Sequence, residues 1–201
     1  GQDPKLIQMQ ANRQAAIAIM LGDPAGARRH IQSVPHGDFG KGYSYGARWG
    51  SFITGLSYIW EGQGLLCEEV LRPALGSADA DLGRRHPLSC MIAALLAAAA
   101  YECDRVDEAS ELLANRLDVL ERVGTPETAL LGYRTAARIA AAKGVEHRAL
   151  DLLEMLYAVG VARNLPRLCV ASLGEQVRMH AGRFRSETCR ALVQRIDEIV
   201  A

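Results

Sequence analysis

The amino-acid sequence predicts an all-α superhelix of about five helix-turn-helix units. Short breaks at Gly22, Gly62, Asp104, Gly144 and Gly182 recur at separations of 40, 42, 40 and 38 residues. Apolar residues on both sides of each break follow the period of an α-helix. A repeat of this length indicates an array in which each helical hairpin packs on its neighbours.

Small residues flank most of these turns, where the two helices of a hairpin are expected to cross. Seven residues before the turn stand Ala15, Gly55, Ala97 and Ala137, and five residues after it stand Ala27, Cys67, Ala109 and Ala149. Helices approach closely only where side chains are small. Glu175 and Glu187 take these two places in the fifth unit, which is therefore an exception.

The first two units contain clear signals for helix starts and breaks. Pro4 suits a first helical turn, and Asp23 followed by proline is a typical capping sequence. A helix over 47–61 comes next, and Pro73 is expected to kink or shorten the helix after it. We expect a solvated connector from Gly76 to Gly83.

The remaining units follow the same pattern. His86 and its proline open an Ala-rich helix, and its partner is expected to run unbroken from Val106 to about Val123. Thr125 is a good start signal for the fourth unit. The final helix carries an apolar stripe, which is typical of a capping unit or of a point where further repeats follow.

The Gly-rich segment 35–46 contains three aromatic residues, and its function stays open. It superficially resembles a phosphate loop at Gly40, Lys41 and Gly42. A Walker motif requires glycine where this chain has Pro35, and serine or threonine in place of Gly42, so we reject it.

Composition excludes several classes of protein. Lys and Arg total 23 and so do Asp and Glu, so we expect no direct contact with nucleic acid. Five cysteines without a C-x-x-C pair indicate reduced thiols and a cytoplasmic location. Neither a membrane span nor a signal peptide is predicted. We expect residues 1–201 to form a single domain cut from a longer protein.

The pattern of small residues around the turn resembles the tetratricopeptide repeat (TPR), although the period is nearer 40 than 34. Three stretches, YECDRVDEASELL (101–113), GYRTAARIAAAKGVEHRALDLL (132–153) and LPRLCVASLGEQVRMH (165–180), resemble the sensor domain of large ATP-dependent LuxR-type (MalT-like) transcriptional regulators. This resemblance implies a right-handed superhelix that receives a signal. It implies no cofactor in this segment, with ATP bound only by a module upstream.

In a superhelix of this type the first helix of each pair lines the concave surface. Projection of that rule gives a candidate ligand-binding set with stacking, carboxylate and guanidinium groups: Trp60, Tyr101, Glu102, Arg134, Arg138, Gln176 and His180. The alternatives are that Trp49, Phe52 and Trp60 belong to the core, that Arg134 and Arg138 form a solvated face or pair with a carboxylate such as Glu102, and that His180 is a surface or interface histidine.

Two functions stay open at this point. In the first, the concave surface binds a small effector, and the domain switches the assembly state of a regulator. In the second, the groove or the apolar terminal helix binds another protein or a second copy of this chain, with no small molecule. No nucleophile turn and no set of metal ligands stands out, so we expect no enzymatic activity and no metal.

Overall fold

Eleven α-helices and no β-strand make up residues 3–34 and 44–201, the part of the chain that this computed structural model describes. The first two units are α1 (Pro4–Met20) with α2 (Pro24–Gln32), and α3 (Tyr45–Trp60) with α4 (Gly64–Asp81). The third contains α5 (Pro87–Glu102), α6 (Val106–Leu113) and α7 (Leu117–Val123). The last two are α8 (Pro126–Ala142) with α9 (Glu146–Ala162), and α10 (Pro166–Ala181) with α11 (Ser186–Val200). The predicted all-α array is confirmed.

Three helix starts follow the predicted capping signals. The carboxylate of Asp23 accepts a hydrogen bond from the amide of Gly26 at 2.7 Å. The side chain of His86 accepts from the amide of Leu88 at 3.2 Å, and Thr125 caps α8. Each cap satisfies a backbone donor that the first helical turn leaves free, and so fixes where the helix begins.

The small residues at the helix crossings lie in the core, as predicted. Fully or almost fully buried are Ala15, Ala97, Ala137, Ala27, Cys67, Ala109 and Ala149. Gly55 shows why size matters here, because a Cβ atom added to it would lie 2.5 Å from the side chain of Leu71. The close approach of α3 and α4 therefore depends on a residue without a side chain.

The turn of the fifth unit lies two residues later than predicted. The first four turn residues have positive φ angles, but Gly182 has φ −61° and it is Phe184 that has φ 58°. The amide of Arg185 donates to the carbonyl of His180, as the amide of Val145 donates to Ala140 in the fourth unit. The helix α10 ends at Ala181 with Gly182 as its C-cap, and the residue with positive φ follows at Phe184. The last separation is therefore 40 residues, and Cys189 takes the small position five residues after the turn.

The predicted connector 76–83 is also wrong, because α4 continues without a break through Pro73 as far as Asp81. An interior proline costs a helix about 3 kcal/mol. Leu71, Ala74 and Ala78 are fully buried against neighbouring helices. Burial of this face outweighs the cost, since tertiary packing supplies most helical stability in proteins.

The predicted helix 106–123 is divided into α6 and α7. Asn115 has φ 58° at the break, and the adjacent Arg116 is turned inward with 1% of its surface exposed. Its guanidinium donates to the carbonyl of Ser89 at 2.9 Å and to the carboxylate of Asp79 at 2.7 Å. These two bonds tie the break to α4 and α5, which a continuous helix would not allow.

None of the helices within the described residues is both long enough and apolar enough to cross a membrane.

Candidate functional site

The first helices of consecutive units, α1, α3, α5, α8 and α10, pack side by side and form the concave surface expected of this architecture. The position of a residue on this surface is set by its distance from the turn of its own unit. Asn12 and Arg134 both stand ten residues before their turns, and Ala16 and Arg138 both stand six before. The concave surface is therefore continuous from unit to unit, and equivalent positions on it carry different side chains in different units.

Five side chains from three helices form what we call the central charged cluster: Tyr101 and Glu102 of α5, Arg134 and Arg138 of α8, and Glu175 of α10. Arg138 holds it together. Its Nη1 donates to Glu102 Oε1 at 3.2 Å, and its Nε donates to Glu175 Oε2 at 3.3 Å. A second bond to Glu175 makes that pair bidentate.

Glu175 is a charged group held in a partly dry position. Its side chain is 11% exposed, and burial alone would raise the pKa of the carboxyl. Hydrogen bonds from Arg138 and Arg178, together with their positive charges, outweigh burial and hold the pKa of Glu175 below its usual value. The carboxylate is therefore ionised and fully engaged by its two partners.

Arg134 differs from its neighbours in having no carboxylate to itself. It is half-buried, yet within the described residues it donates no hydrogen bond and has no acidic oxygen within ion-pair distance. Burial, and then the charge of Arg138, lower the pKa of Arg134, while Glu175 and Glu102 act in the opposite direction. Both carboxylates already bind Arg138, so Arg134 retains donors for a ligand.

A groove with a volume of about 970 Å³ lies on the same surface near the start of the chain, between α1 and the first turn of α3. Met9, Tyr45 and Trp49 contribute apolar surface to it, and Lys5 and Arg13 contribute positive charge. No acidic side chain of the described part of the chain lines it. The groove thus combines an apolar wall with a basic edge. The predicted interest of the Gly-rich segment 35–46 is not decided, because residues 35–43 lie outside the described residues.

Two of the predicted ligand-binding residues lie away from the concave surface. Gln176 is 5% exposed and donates to Glu154 of α9 at 2.7 Å. His180 is 8% exposed, with its ring nitrogen 3.4 Å from the guanidinium of Arg185. The prediction that both residues lie on the concave surface was wrong because it counted from Gly182 instead of Phe184 as the turn residue.

The aromatic residues divide between core and surface. Phe52 is buried, and its ring lies 5.3 Å from that of the half-buried Trp49. Trp60 is 44% exposed at the end of α3, at the position that corresponds to Glu102 in the next unit. The structure therefore brings Tyr101, Glu102, Arg134 and Arg138 together, and places Trp60 one unit away on the same edge.

Sequence reasoning missed Glu175 of the central charged cluster, and it missed Arg178, which pairs with Glu175. Arg178 stands six residues before Phe184 and so corresponds to Arg138. A signal was present in the sequence, since Glu175 broke the small-residue rule when the turn was placed at Gly182. A strict period of 40 residues from Gly144, with the small residue Cys189 five residues further on, would have placed the turn of the fifth unit at Phe184.

The described residues offer little for metal or thiol chemistry. They include no group of three His, Cys, Asp or Glu side chains placed to hold a metal ion. All five cysteines are free thiols. Burial, and then the charge of Glu68, raise the pKa of Cys67 to about 12, so this thiol stays protonated and is a poor nucleophile.

Comparison with solved structures supports the same architecture. The crystal structure of a putative kinesin light chain from Podosopora anserina with nearly identical TPR-like repeats superposes with a TM-score of 0.69 at 20% identity, covering 100% of this chain and 98% of that one. The fold is a TPR-like helical repeat. A variant of the same protein with one substitution gives a TM-score of 0.70 at 20% identity, with 99% and 96% coverage. This likeness concerns the fold alone. Neither the protein-family models nor the curated proteins include a match to this chain.

Proposed function

We propose that this chain is a protein-interaction module whose concave surface binds an acidic segment of a partner protein. The observation that carries the proposal is Arg134, a half-buried guanidinium without a carboxylate of its own. A TPR-like fold is suited to this role, because stacked helices create an extended concave surface for an extended or helical segment.

The partial burial of the Arg134 guanidinium favours binding of an acidic ligand next to it. A cation that is partly removed from water loses solvation and regains it only through a partner. Arginine offers five donors in a planar fork, so a carboxylate of the ligand can accept two of them at once. Arg138 is already saturated by Glu102 and Glu175 and acts mainly to position the cluster.

The basic edge of the groove between α1 and α3 extends this preference along the surface. Lys5 and Arg13 contribute two positive charges there, and the apolar faces of Met9 and Trp49 can bury an aliphatic or aromatic side chain. A segment with one apolar anchor and several carboxylates would engage both ends of the surface. Charge attraction of this kind raises the rate of association and depends on salt.

A second candidate is a signal-receiving domain of a LuxR-type regulator in the cytoplasm, and the size of the groove favours it. A volume of about 970 Å³ is within the range of small-molecule sites. Membership of that class rests on the resemblance of three sequence stretches. Thermal-shift screening of metabolites on the wild type and on Arg13→Ala tests it, because an effector held in this groove should stabilise the wild type more than the variant.

Selection from a random peptide library displayed on phage tests the main proposal. We expect the wild-type protein to enrich peptides that contain Asp and Glu, and Arg134→Gln to lose that enrichment. Arg122→Gln is the matched control, because Arg122 is 67% exposed on α7, which is not one of the helices that form the concave surface. Enrichment of neutral or basic peptides by the wild type, or equal acidic enrichment by Arg134→Gln, would show that the proposal is incorrect.

A further inference from the structure

The floor of the groove between α1 and α3 is closed by polar contacts. The side-chain amide of Gln8 donates to Oδ1 of Asn12 at 3.0 Å, and Nδ2 of Asn12 donates to the carbonyl of Gly46 at 2.9 Å. Asn12 is 6% exposed, so these bonds lie beneath the groove and not at its mouth. They fix the start of α3 against the middle of α1.

Two glycines of α3, one turn apart, allow this close approach. A Cβ atom added to Gly46 would lie 2.9 Å from Cγ of Gln8, and one added to Gly50 would lie 3.2 Å from Oδ1 of Asn12. The backbone of α3 can lie against α1 only because these positions have no side chain. Larger side chains stand on both sides of this line of contact, which leaves a groove between them.

The walls of the groove are suited to a flat apolar ring. Tyr45 and Trp49 line it from α3, and because they stand four residues apart they lie on one side of that helix. Met9 lines it from α1. Tyr45 is 55% exposed and Met9 is 65% exposed, so their apolar surface is open to a ligand. Aromatic rings and a methionine sulfur both make favourable contacts with another aromatic ring.

The charges of the two helices select an anion. The helix α1 carries Lys5 and Arg13 and no acidic residue, and α3 carries only Arg48, which pairs with Asp81 of α4. Lys5 has a carboxylate close by, because Asp3 accepts a hydrogen bond from its amide at 2.9 Å. Arg13 has none on its own helix, and its guanidinium can donate to both oxygens of a carboxylate.

We propose that this groove binds a small aromatic carboxylate, whose ring lies between Met9 and Trp49 and whose carboxylate is bound by Arg13. The groove volume of about 970 Å³ is within the range of small-molecule sites and has room for fused rings. This ligand goes beyond the acidic segment proposed above, because it is a separate small molecule with a single charge. It also makes no use of Arg134, which belongs to the fourth unit.

Isothermal titration calorimetry of the full 201-residue chain with 2-naphthoate tests this groove. We expect one saturable site, and binding about fivefold weaker for 2-naphthamide, which has the same rings without the charge. Arg13→Gln should weaken 2-naphthoate binding by a similar factor, and Lys5→Gln by less. Met9→Asp should also weaken it, because a carboxylate in the wall repels the ligand. Met20→Asp is the matched control, since Met20 lies on the same helix, is 83% exposed and does not line the groove.

Absence of saturable binding, equal affinity for the amide, or binding that tolerates both Arg13→Gln and Met9→Asp would overturn the proposal. So would a larger effect of Lys5→Gln than of Arg13→Gln. The substituted side chains are all exposed, and circular dichroism of each variant distinguishes loss of binding from loss of fold. Arg134→Gln should bind 2-naphthoate as the wild type does, so failure of this proposal and failure of the acidic-segment proposal are separate results. Loss of 2-naphthoate binding in Arg134→Gln would place the ligand at the central charged cluster and contradict the groove.

Discussion

Arg138 of α8 and Glu175 of α10 form a bidentate ion pair across two repeat units, although they lie 37 residues apart in the chain. Arg105 with Glu68 and Arg116 with Asp79 span the same 37 residues. Charged pairs at nearly the repeat length thus connect each of these units to the next. These pairs hold neighbouring units together in addition to the apolar core.

Removing the carboxylate of Glu175 should destabilise the protein. The Glu175 side chain is 11% exposed, so Glu175→Gln leaves Arg178 without a charged acceptor and leaves Arg138 with only the exposed Glu102. We expect a loss of about 1–3 kcal/mol in the free energy of unfolding. Urea denaturation measures it. Glu102→Gln is the control, because Glu102 is 70% exposed and its pair with Arg138 should be worth less than about 1 kcal/mol. Equal losses would contradict a special role for Glu175.

Stability should fall in acid because of Glu175 and Glu68. For Glu68, burial raises the pKa, but hydrogen bonds and charges of Arg72 and Arg105 outweigh it, so the pKa is lowered, as it is for Glu175. A lowered folded-state pKa contributes stability above the ordinary value of 4.5, and this is lost as the pH falls through the folded-state values.

The comparison that isolates this effect is the free energy of unfolding of the wild type and of Glu175→Gln, each measured in urea between neutral and acid pH. We expect the wild type to lose more stability than the variant as the pH falls below 4.5. Parallel pH profiles would mean that the pKa of Glu175 does not differ between the folded and unfolded states.

Phe184 should be a source of strain in the fifth turn. Its φ of 58° is unfavourable for a bulky residue, and its side chain is 95% exposed, so it gains little from packing. We expect Phe184→Gly to stabilise the protein by about 0.5–1 kcal/mol, after the entropy cost of glycine. Asn164→Gly, at φ 52°, should give less, because asparagine tolerates this region. A loss of stability in Phe184→Gly, measured by thermal unfolding, would contradict the assignment of the turn.

Much of the fold could be predicted from the sequence because the repeat itself carries the information. The turn glycines and the small residues at crossings depend on local rules of backbone conformation and close packing. The division of α6 from α7 was not predictable in this way. It depends on Arg116 reaching Asp79 of α4 and the carbonyl of Ser89. Such long-range contacts have no periodic signature in the sequence.

Two glycines of the second unit should respond in opposite ways to alanine. Gly55→Ala would place a methyl group 2.5 Å from the buried side chain of Leu71, and overpacking of this kind costs about 1–3 kcal/mol. Gly76 lies in α4 with nothing within 4 Å of an added Cβ atom. Gly76→Ala should therefore stabilise by about 0.5–1 kcal/mol through helix propensity. Thermal unfolding of both variants checks the pair, and a change in the same direction in both would argue against the packing described for α3 and α4.

The candidate site was predictable only where the repeat register was correct. Arg134 and Arg138 were projected from Gly144, a true turn, and they do lie in the central charged cluster. Gln176 and His180 were projected from Gly182, two residues short of the real turn, and a shift of two residues on a helix moves a side chain by more than half a turn. The same shift hid Arg178, which stands six residues before Phe184.

The affinity of an acidic peptide for the concave surface tests the central claim most directly. Isothermal titration calorimetry with the best peptide from the phage selection should give a dissociation constant that rises at least tenfold, or about 1.4 kcal/mol, in Arg134→Gln and stays unchanged in Arg122→Gln. Affinity should also fall as salt is added. An unchanged dissociation constant in Arg134→Gln would contradict the claim that this guanidinium holds the ligand.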